Sequence, residues 1–344
     1  MIKLHKKLIL YFTFLLFFCF LYIQSFGFAW FWLIRTDIFK SSLDFKLASR
    51  ANSFNAVCFR ERFKSILLVI IFNFPLYNHL LLLQDIYSKG FPNIMFCGPI
   101  NSTSPSWVLK SVTFKGYFTY EECAARSMQN HHNYTGYLVI SDDVLVNYWN
   151  LERLNPNKIW DGPKSPIKVG NFTKAIRWYW WNSRWGASNC YKAIKKINSL
   201  FKHDYNQSLY KNMNKILDFE NSDLRKMVSG ENVCYGGRSD IYYIPKKMAQ
   251  GFIELSKVFK EQNVFLEIAV PTIIRMLTTN MIYLKGVYMP GRVGTDPVSK
   301  SEIVLKHYSS DLHFIHPLKL NYGQKSLGNI EFFKRYAYNI SSAC

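Results

Sequence analysis

The chain has 344 residues and shows no internal repeat or low-complexity tract. About 280 residues remain after a short stem, enough for one large α/β domain or two closely joined halves. Its formal net charge is +20, spread along the chain without a basic tail or an RGG tract. We therefore do not expect nucleic acid as a partner. A basic surface suits diphosphate-bearing or acidic-sugar ligands, although it can equally serve solubility alone.

The first predicted element is an apolar segment, residues 8–34, that contains no charged residue. A helix needs about 20 apolar residues to cross a bilayer, and this segment is longer. Lys3, Lys6 and Lys7 precede it, so the positive-inside rule predicts a cytoplasmic tail at residues 1–7. We expect a single-pass type II membrane anchor. A cleaved signal peptide is the alternative, but its apolar core would be shorter, roughly 7–15 residues.

The chain beyond this segment carries features of a lumenal domain. N-glycosylation triplets begin at Asn101, Asn133, Asn171, Asn206 and Asn339. Of the seven cysteines, one (Cys19) lies in the apolar segment, and the others allow up to three disulfides whose pairing the sequence leaves open: Cys58, Cys97, Cys123, Cys190, Cys234 and Cys344. No C-x-x-C spacing points to structural zinc. We predict a Golgi membrane protein, with the endoplasmic reticulum as the alternative location.

The elements after a polar stem at residues 35–64 follow a β-α-β order. The apolar run at residues 66–72 is typical of a strand buried on both faces, residues 76–88 have a helical pattern, and residues 93–97 form the next strand. A helix at 120–130 and a strand at 136–140 come next. Alternating strands and helices indicate an α/β domain with a mixed, mostly parallel sheet flanked by helices.

The rest of the chain is predicted to be largely helical, with two late strands. Helical patterns cover residues 187–204, 205–219, 246–261 and 265–277, and strands are predicted at 240–244 and 281–289. The strand at 136–140 runs directly into Ser141-Asp142-Asp143. Ligands of such sheets bind beyond the carboxyl ends of the strands, so the acidic pair is the main functional clue. Two carboxylates there could hold a hard divalent cation, or could merely cap a turn.

The order strand, helix, strand, helix, strand and acidic cluster resembles the nucleotide-sugar glycosyltransferases of the GT-A fold, with the exostosin-like enzymes as the nearest likeness. The resemblance covers residues 65–148 well and the remainder loosely. It implies a Rossmann-like domain with a nucleotide-sugar-binding half at 65–165 and an acceptor-binding half at 166–344. It also implies a hexosyl- or N-acetylhexosaminyltransferase that moves a sugar from a nucleotide donor, expected to be a UDP-sugar, to a glycan or glycoprotein.

The same similarity assigns roles to the acidic pair and to two late residues. Asp143 would ligate a divalent metal, Mn²⁺ rather than Mg²⁺, as the last Asp of a D-x-D motif. Asp142 would contact the ribose, or the metal through water. Ser141 stands where many members of the family have the first Asp. His316 would complete the metal site or contact the diphosphate, and Lys319 would balance the diphosphate charge; a lone His is otherwise an ordinary core or surface group.

Three further residues are candidates, each with a structural alternative. Glu267 is a carboxylate in an apolar stretch, where burial is costly unless the group is paired or functional; it could act as the catalytic base, or simply favour a helix N-terminus. Asp240 follows two glycines and could contact the donor sugar or the acceptor, or cap a turn. Asn73 ends the first strand, where such folds bind the nucleotide base. The aromatic residues Trp178, Tyr179, Trp180, Trp181 and Trp185 could stack on sugars or build core.

Two rival functions remain at this point. A non-catalytic lumenal scaffold or carbohydrate-binding protein could keep the same fold, and the Ser141 departure keeps that reading open. A lumenal hydrolase with two carboxylates is weaker, because no second acid has a clear place at a neighbouring strand end. The favoured prediction is a metal-dependent glycosyltransferase.

Overall fold

The computed structural model describes residues 59–101, 104–112, 115–162, 167–170, 178–203, 233–289, 304 and 306–341. The predicted tail and anchor, most of the stem and the predicted helix at 205–219 lie outside these ranges. Residues 54–344 form one compact unit. The predicted division between residues 165 and 166 stays a prediction.

One part of the predicted fold class has to be corrected, and with it the predicted membrane contact. We expected a transmembrane helix before the α/β domain, but no helix in the described ranges combines the length and the apolar character needed to cross a membrane. Lys246–Glu261, for example, is amphipathic: it buries Phe252 and Leu255, while Lys246 and Lys247 are exposed. Residues 8–34 themselves are outside the described ranges.

The α/β part of the prediction is confirmed by a seven-stranded mixed sheet. Four adjacent strands of this sheet are parallel: β1 (Ile66–Ile71), β2 (Ile94–Pro99), β3 (Leu109–Ser111) and β4 (Gly136–Ser141), with β1 between β2 and β4. Every residue of β1 and β4 is buried, as expected of strands covered on both faces. The remaining strands are β6 (Trp160–Asp161), β9 (Ile241–Pro245) and β10 (Ile282–Tyr283), and β9 runs antiparallel to both β4 and β6.

Two smaller sheets complete the described strands. β5 (Leu145–Val146), β11 (Gly286–Tyr288) and β12 (Phe314–His316) form a three-stranded sheet in the order β11-β12-β5, and β7 (Ile167–Gly170) pairs with β8 (Val233–Gly236). The strand predicted at 281–289 is therefore divided between two sheets. Gly286 makes the second pairing possible, because a Cβ there would lie 2.1 Å from the ring of Phe314.

The helices cover the sheets. They are α1 (Phe59–Arg62), α2 (Leu80–Ser88), α3 (Arg126–Asn130), α4 (Tyr179–Asn182), α5 (Ala187–His203), α6 (Lys246–Glu261), α7 (Leu266–Leu277) and α8 (Leu327–Ser341). α2 begins four residues later than predicted, after the Pro75 turn, and α3 is preceded by a π-helical segment at Tyr120–Ala125.

Two disulfides and a buried ion pair tie these elements together. Cys97 pairs with Cys123 and Cys190 with Cys234, whereas Cys58 and Cys344 lie outside the described residues. The carboxylate of Asp161 in β6 lies 2.9 Å from Nη2 of Arg275 in α7, and both side chains are buried. Since a buried charge is tolerated only with a partner, this contact fixes α7 against the sheet. α7 is the helix whose first turn carries Glu267.

Candidate active site

The acidic pair follows β4 at the edge of the sheet where the parallel strands end. The Asp142 N–H donates to the carbonyl of Ile71, the last residue of β1, at 3.0 Å. Because β1 and β4 are parallel neighbours, their carboxyl ends meet, and the acidic pair lies where ligands of α/β sheets bind. Asp143 is only 2% exposed, and a carboxylate that merely caps a turn does not need to be buried so deeply.

Two other strands bring distant residues to this point. β9 runs antiparallel to β4, so its beginning lies at the end of β4, and the Ser141 N–H donates to the Asp240 carbonyl at 2.9 Å. β12 runs antiparallel to β5, which follows the acidic pair directly. His316, the last residue of β12, therefore lies beside Asp143. The residues after it also stay at the acidic pair, since the Leu318 N–H donates to the Asp143 carbonyl at 2.7 Å.

The side chains form a compact charged cluster, which we call the Asp143 cluster: Asp142, Asp143, Asp240, His316 and Lys319. His316 Nε2 lies 3.3 Å from Oδ1 of Asp143 and 3.2 Å from Oδ1 of Asp240. The Lys319 ammonium contacts Oδ2 of Asp143. The structure thus brings together five of the residues predicted from sequence. In this cluster His316 lies against one carboxylate oxygen of Asp143, and Lys319 contacts the other.

Burial and charge shift the ionisation of this cluster. Burial opposes the charged form of Asp143, but Lys319 and His316 outweigh it and lower its pKa. Burial raises the pKa of Asp142, and the negative charge of Asp143 raises it further. Burial alone would lower the pKa of His316, yet Asp240 and Asp143 raise it overall. These shifts favour an ionised Asp143 with the Lys319 ammonium against it, and they favour the protonated form of His316 beside the same carboxylate.

Some buried polar atoms in the cluster have no hydrogen-bond partner among the described residues. These are both carboxylate oxygens of Asp143, which have only the ion contacts with His316 and Lys319, and Oδ2 of Asp240, Nδ1 of His316 and the hydroxyl of the neighbouring Tyr288. The Tyr288 ring lies edge-on to the His316 ring, with centroids 5.8 Å apart. Since buried polar groups in folded proteins are nearly always paired, these atoms are suited to bind a polar ligand.

Glu267 belongs to the same electrostatic environment. It lies in the first turn of α7, and its carbonyl accepts a 2.8 Å hydrogen bond from the N–H of Gly237, in the loop that leads to Asp240. Burial raises the pKa of Glu267 to about 7; Asp240 raises it as well, while Arg238 and His316 act in the opposite direction. A carboxylate that titrates near neutral pH is suited to take up a proton at the pH where an enzyme works.

The aromatic residues predicted as a sugar platform separate into two groups. Trp181 is buried in the core, and Trp178 packs close to Gly236. Trp180 and Trp185 are half-buried and join Tyr117 and Phe265 in a cluster, which we call the aromatic shelf. Trp180 stacks on Phe265 with centroids 4.3 Å apart, and Phe265 immediately precedes the helix of Glu267. The shelf therefore lies next to the beginning of α7.

Asn73 is not brought into the Asp143 cluster by any contact that the structure describes. Its side chain lies against Gly116, where a Cβ would be 2.0 Å from Oδ1 of Asn73. Gly116 precedes Tyr117 of the aromatic shelf. The predicted contact of Asn73 with a nucleotide base stays a prediction.

Sequence reasoning missed two residues at the site. The exposed guanidinium of Arg238 lies 4.3 Å from the ring centroid of Tyr288, and its charge opposes the rise in the pKa of Glu267. Arg238 could have been found, because it stands two residues before Asp240. Tyr288 could not, because nothing in the sequence pairs β11 with β12.

The predicted metal ligands do not fit a divalent ion as they are arranged. Within the described ranges, no group of three or more His, Cys, Asp or Glu side chains could hold a metal ion. The Lys319 ammonium contacts one oxygen of Asp143, and His316 lies against the other. A metal ion would have to displace one of these two side chains from Asp143. The predicted Mn²⁺ stays a prediction.

No known protein-family model matches this sequence. At the level of class, the chain is similar to glycosyltransferases. The similar proteins are "Probable glycosyltransferase STELLO1" and "Probable glycosyltransferase STELLO2" of Arabidopsis thaliana, each 24% identical over 208 residues that cover 54% of this chain. The matched part spans 24% and 25% of these relatives, about a quarter of their length. The similarity supports the glycosyltransferase class without singling out the GT-A fold or the exostosin-like enzymes.

The ionisation of Glu267 can be measured directly. We expect its side-chain carboxyl carbon, followed by ¹³C NMR, to titrate with a pKa of about 7, because burial disfavours the charged form. Asp240→Asn removes a neighbouring negative charge and should lower this pKa. Arg238→Ala removes a positive charge and should raise it. A midpoint near the ordinary glutamate value of about 4.3, unchanged in both variants, would contradict the described environment.

Proposed function

We propose that this chain is a glycosyltransferase that moves a sugar from a nucleotide-sugar donor to a glycan or glycoprotein acceptor. The observation that carries the proposal is the Asp143 cluster: an ionised aspartate that holds an ammonium and an imidazole at the carboxyl ends of β1 and β4. The similarity to plant proteins named as glycosyltransferases supports the same class. A UDP-sugar is the expected donor, carrying a hexose or an N-acetylhexosamine.

The cluster suits the donor diphosphate. The Lys319 side chain is 31% exposed, so it is partly open to solvent while its ammonium contacts Asp143. Ammonium and imidazolium groups bind phosphate oxygens through charge-assisted hydrogen bonds. Charge develops on the nucleoside diphosphate as it leaves, and fixed cations at that position stabilise the transition state more than the ground state. Asp143 keeps both cations in position.

Glu267 serves as the base for the acceptor. The acceptor hydroxyl oxygen forms a bond to the anomeric carbon, and its proton passes to the Glu267 carboxylate. The bond from the anomeric carbon to the diphosphate oxygen breaks, and the electron pair leaves with the nucleoside diphosphate. A base with a pKa of about 7 is suited to this proton transfer at neutral pH.

The aromatic shelf is proposed to hold the acceptor. Its half-buried rings lie beside the start of α7, on the side of the site where Glu267 must meet an acceptor hydroxyl. Binding sites for small ligands are lined mainly by aromatic and apolar groups, with few polar groups that orient the ligand. Trp180 and Trp185 present such surfaces.

We assign the domain to an oxidising lumenal compartment, with the Golgi lumen as the expected location and the endoplasmic reticulum as the alternative. Two disulfides support this assignment, since they persist mainly in oxidising compartments. Asn133, which begins a glycosylation triplet, is exposed.

The rival is a scaffold that binds nucleotide or glycan without turning it over. Asp143→Asn separates the two, because the amide can no longer hold the two cations by charge. For an enzyme we expect transfer and donor hydrolysis to fall by roughly 100-fold or more, measured with UDP-sugars in Mn²⁺ and in EDTA. Asp85→Asn, at an exposed carboxylate of α2, is the matched control and should keep wild-type rates.

The fold of each variant is checked by its thermal unfolding. Full activity in folded Asp143→Asn would contradict the role of the cluster. The absence of both turnover and nucleotide binding in the wild-type protein, across a panel of nucleotide sugars, would contradict the proposed function itself.

A second variant tests the acceptor side. Trp180→Ala removes the central ring of the aromatic shelf, so the KM for acceptor should rise severalfold while donor hydrolysis in the absence of acceptor stays unchanged. Trp107→Ala is the control, since this tryptophan is 52% exposed and packs on Phe96 of β2. Equal loss of donor hydrolysis and acceptor transfer in Trp180→Ala would argue for a structural role instead.

A further inference from the structure

The Asp143 cluster already contains a cation in the place where the resemblance calls for a metal ion. One oxygen of Asp143 is in contact with the Lys319 ammonium, and the other lies 3.3 Å from His316 Nε2. His316 Nε2 also lies 3.2 Å from Asp240. The carboxylate that should ligate the metal is thus already contacted by two side chains that carry or can carry positive charge.

The backbone holds Lys319 in this position. The Leu318 N–H donates to the carbonyl of Asp143 at 2.7 Å, so the residue before the lysine is bound to the acidic loop. The carbonyl of Lys319 accepts a 2.9 Å hydrogen bond from Nδ2 of Asn329 in α8. The Met289 N–H donates to the His316 carbonyl at 2.7 Å, which fixes the strand before it. A lysine anchored on both sides is a built part of the site.

A divalent ion and an ammonium would compete for the same carboxylate. A lysine ammonium is a compact point charge with three donors, and it is a common ligand of phosphate groups. Its charge is also placed before the donor arrives, so no reorganisation is needed when the leaving group becomes negative.

We propose that Lys319 takes the place of the divalent cation, so that donor binding and sugar transfer by this protein do not require a metal ion. The inference rests on the proposed function and deepens it by naming the group that neutralises the diphosphate. When the bond from the anomeric carbon to the diphosphate oxygen breaks, the electron pair stays on that oxygen. The Lys319 ammonium then donates hydrogen bonds to the diphosphate and keeps its proton.

The first test uses the full wild-type chain with excess EDTA. We measure UDP binding by isothermal titration calorimetry, and transfer from a UDP-sugar in parallel. Both should stay within about twofold of their values in Mn²⁺, because Lys319 rather than a metal ion neutralises the diphosphate. Loss of binding and turnover in EDTA, restored by Mn²⁺, would overturn this inference and leave the proposed glycosyltransferase intact. No nucleotide binding and no turnover under either condition would overturn both.

The second test removes the charge and keeps the length of the side chain. Lys319→Met should weaken UDP binding in EDTA by roughly 10- to 100-fold, as expected for the loss of hydrogen bonds from a charged donor. Lys319→Arg should retain most of the affinity, because it keeps the charge. Lys325→Met, at an exposed lysine of the next turn, is the matched control and should bind UDP like the wild type.

Wild-type affinity in a folded Lys319→Met protein would overturn the inference. If Lys319→Met does not fold, as judged by circular dichroism, the comparison of EDTA with Mn²⁺ in the wild type decides alone. Binding of Mn²⁺ to the nucleotide-free wild type, followed by the loss of the free-ion signal in electron paramagnetic resonance, would also contradict it.

Discussion

The arrangement of this site depends on the contact between Asp143 and the segment that follows β12. β12 pairs with β5, and β5 follows the acidic pair, so a single short antiparallel pairing delivers His316 and Lys319 to the end of β4. Without these two cations, Asp143 would be a buried carboxylate without a counter-charge, which is costly. The contact therefore stabilises the fold and assembles the site at the same time.

The same contact explains the distribution of charge around the site. Burial raises the pKa of Asp142, and the negative charge of Asp143, whose ionised form Lys319 and His316 favour, raises it further. Burial also raises the pKa of Glu267, and Asp240, which shares His316, adds to this effect. Lys319 and His316 thus provide groups suited to bind a diphosphate, and Glu267 provides a carboxylate suited to accept a proton. Pairs of titratable groups with divergent pKa values are a common feature of active sites.

The sequence predicted what depends on local pattern and missed what depends on long-range pairing. The buried strands β1 and β4 and the helix Lys246–Glu261 follow from hydrophobic periodicity, and the Asp pair follows from its place at a strand end. β11 lies within the strand predicted at 281–289, but β12 has only three residues, too short for a periodic signal, and the pairing of the two joins distant segments. Tyr288 was therefore missed, and the contact of Lys319 with Asp143, which argues against a metal there, was not foreseen. The expected transmembrane helix is not among the described helices.

The most direct test of the central claim is a crystal structure of the full chain with UDP bound in the presence of EDTA. We expect the diphosphate at the carboxyl ends of β1 and β4, with its oxygens within hydrogen-bonding distance, roughly 2.7–3.2 Å, of Lys319 Nζ, and His316 nearby. Lys319 should remain in contact with Asp143. A diphosphate bound elsewhere on the chain, or one bound only through a metal ion with Lys319 turned away, would contradict the account.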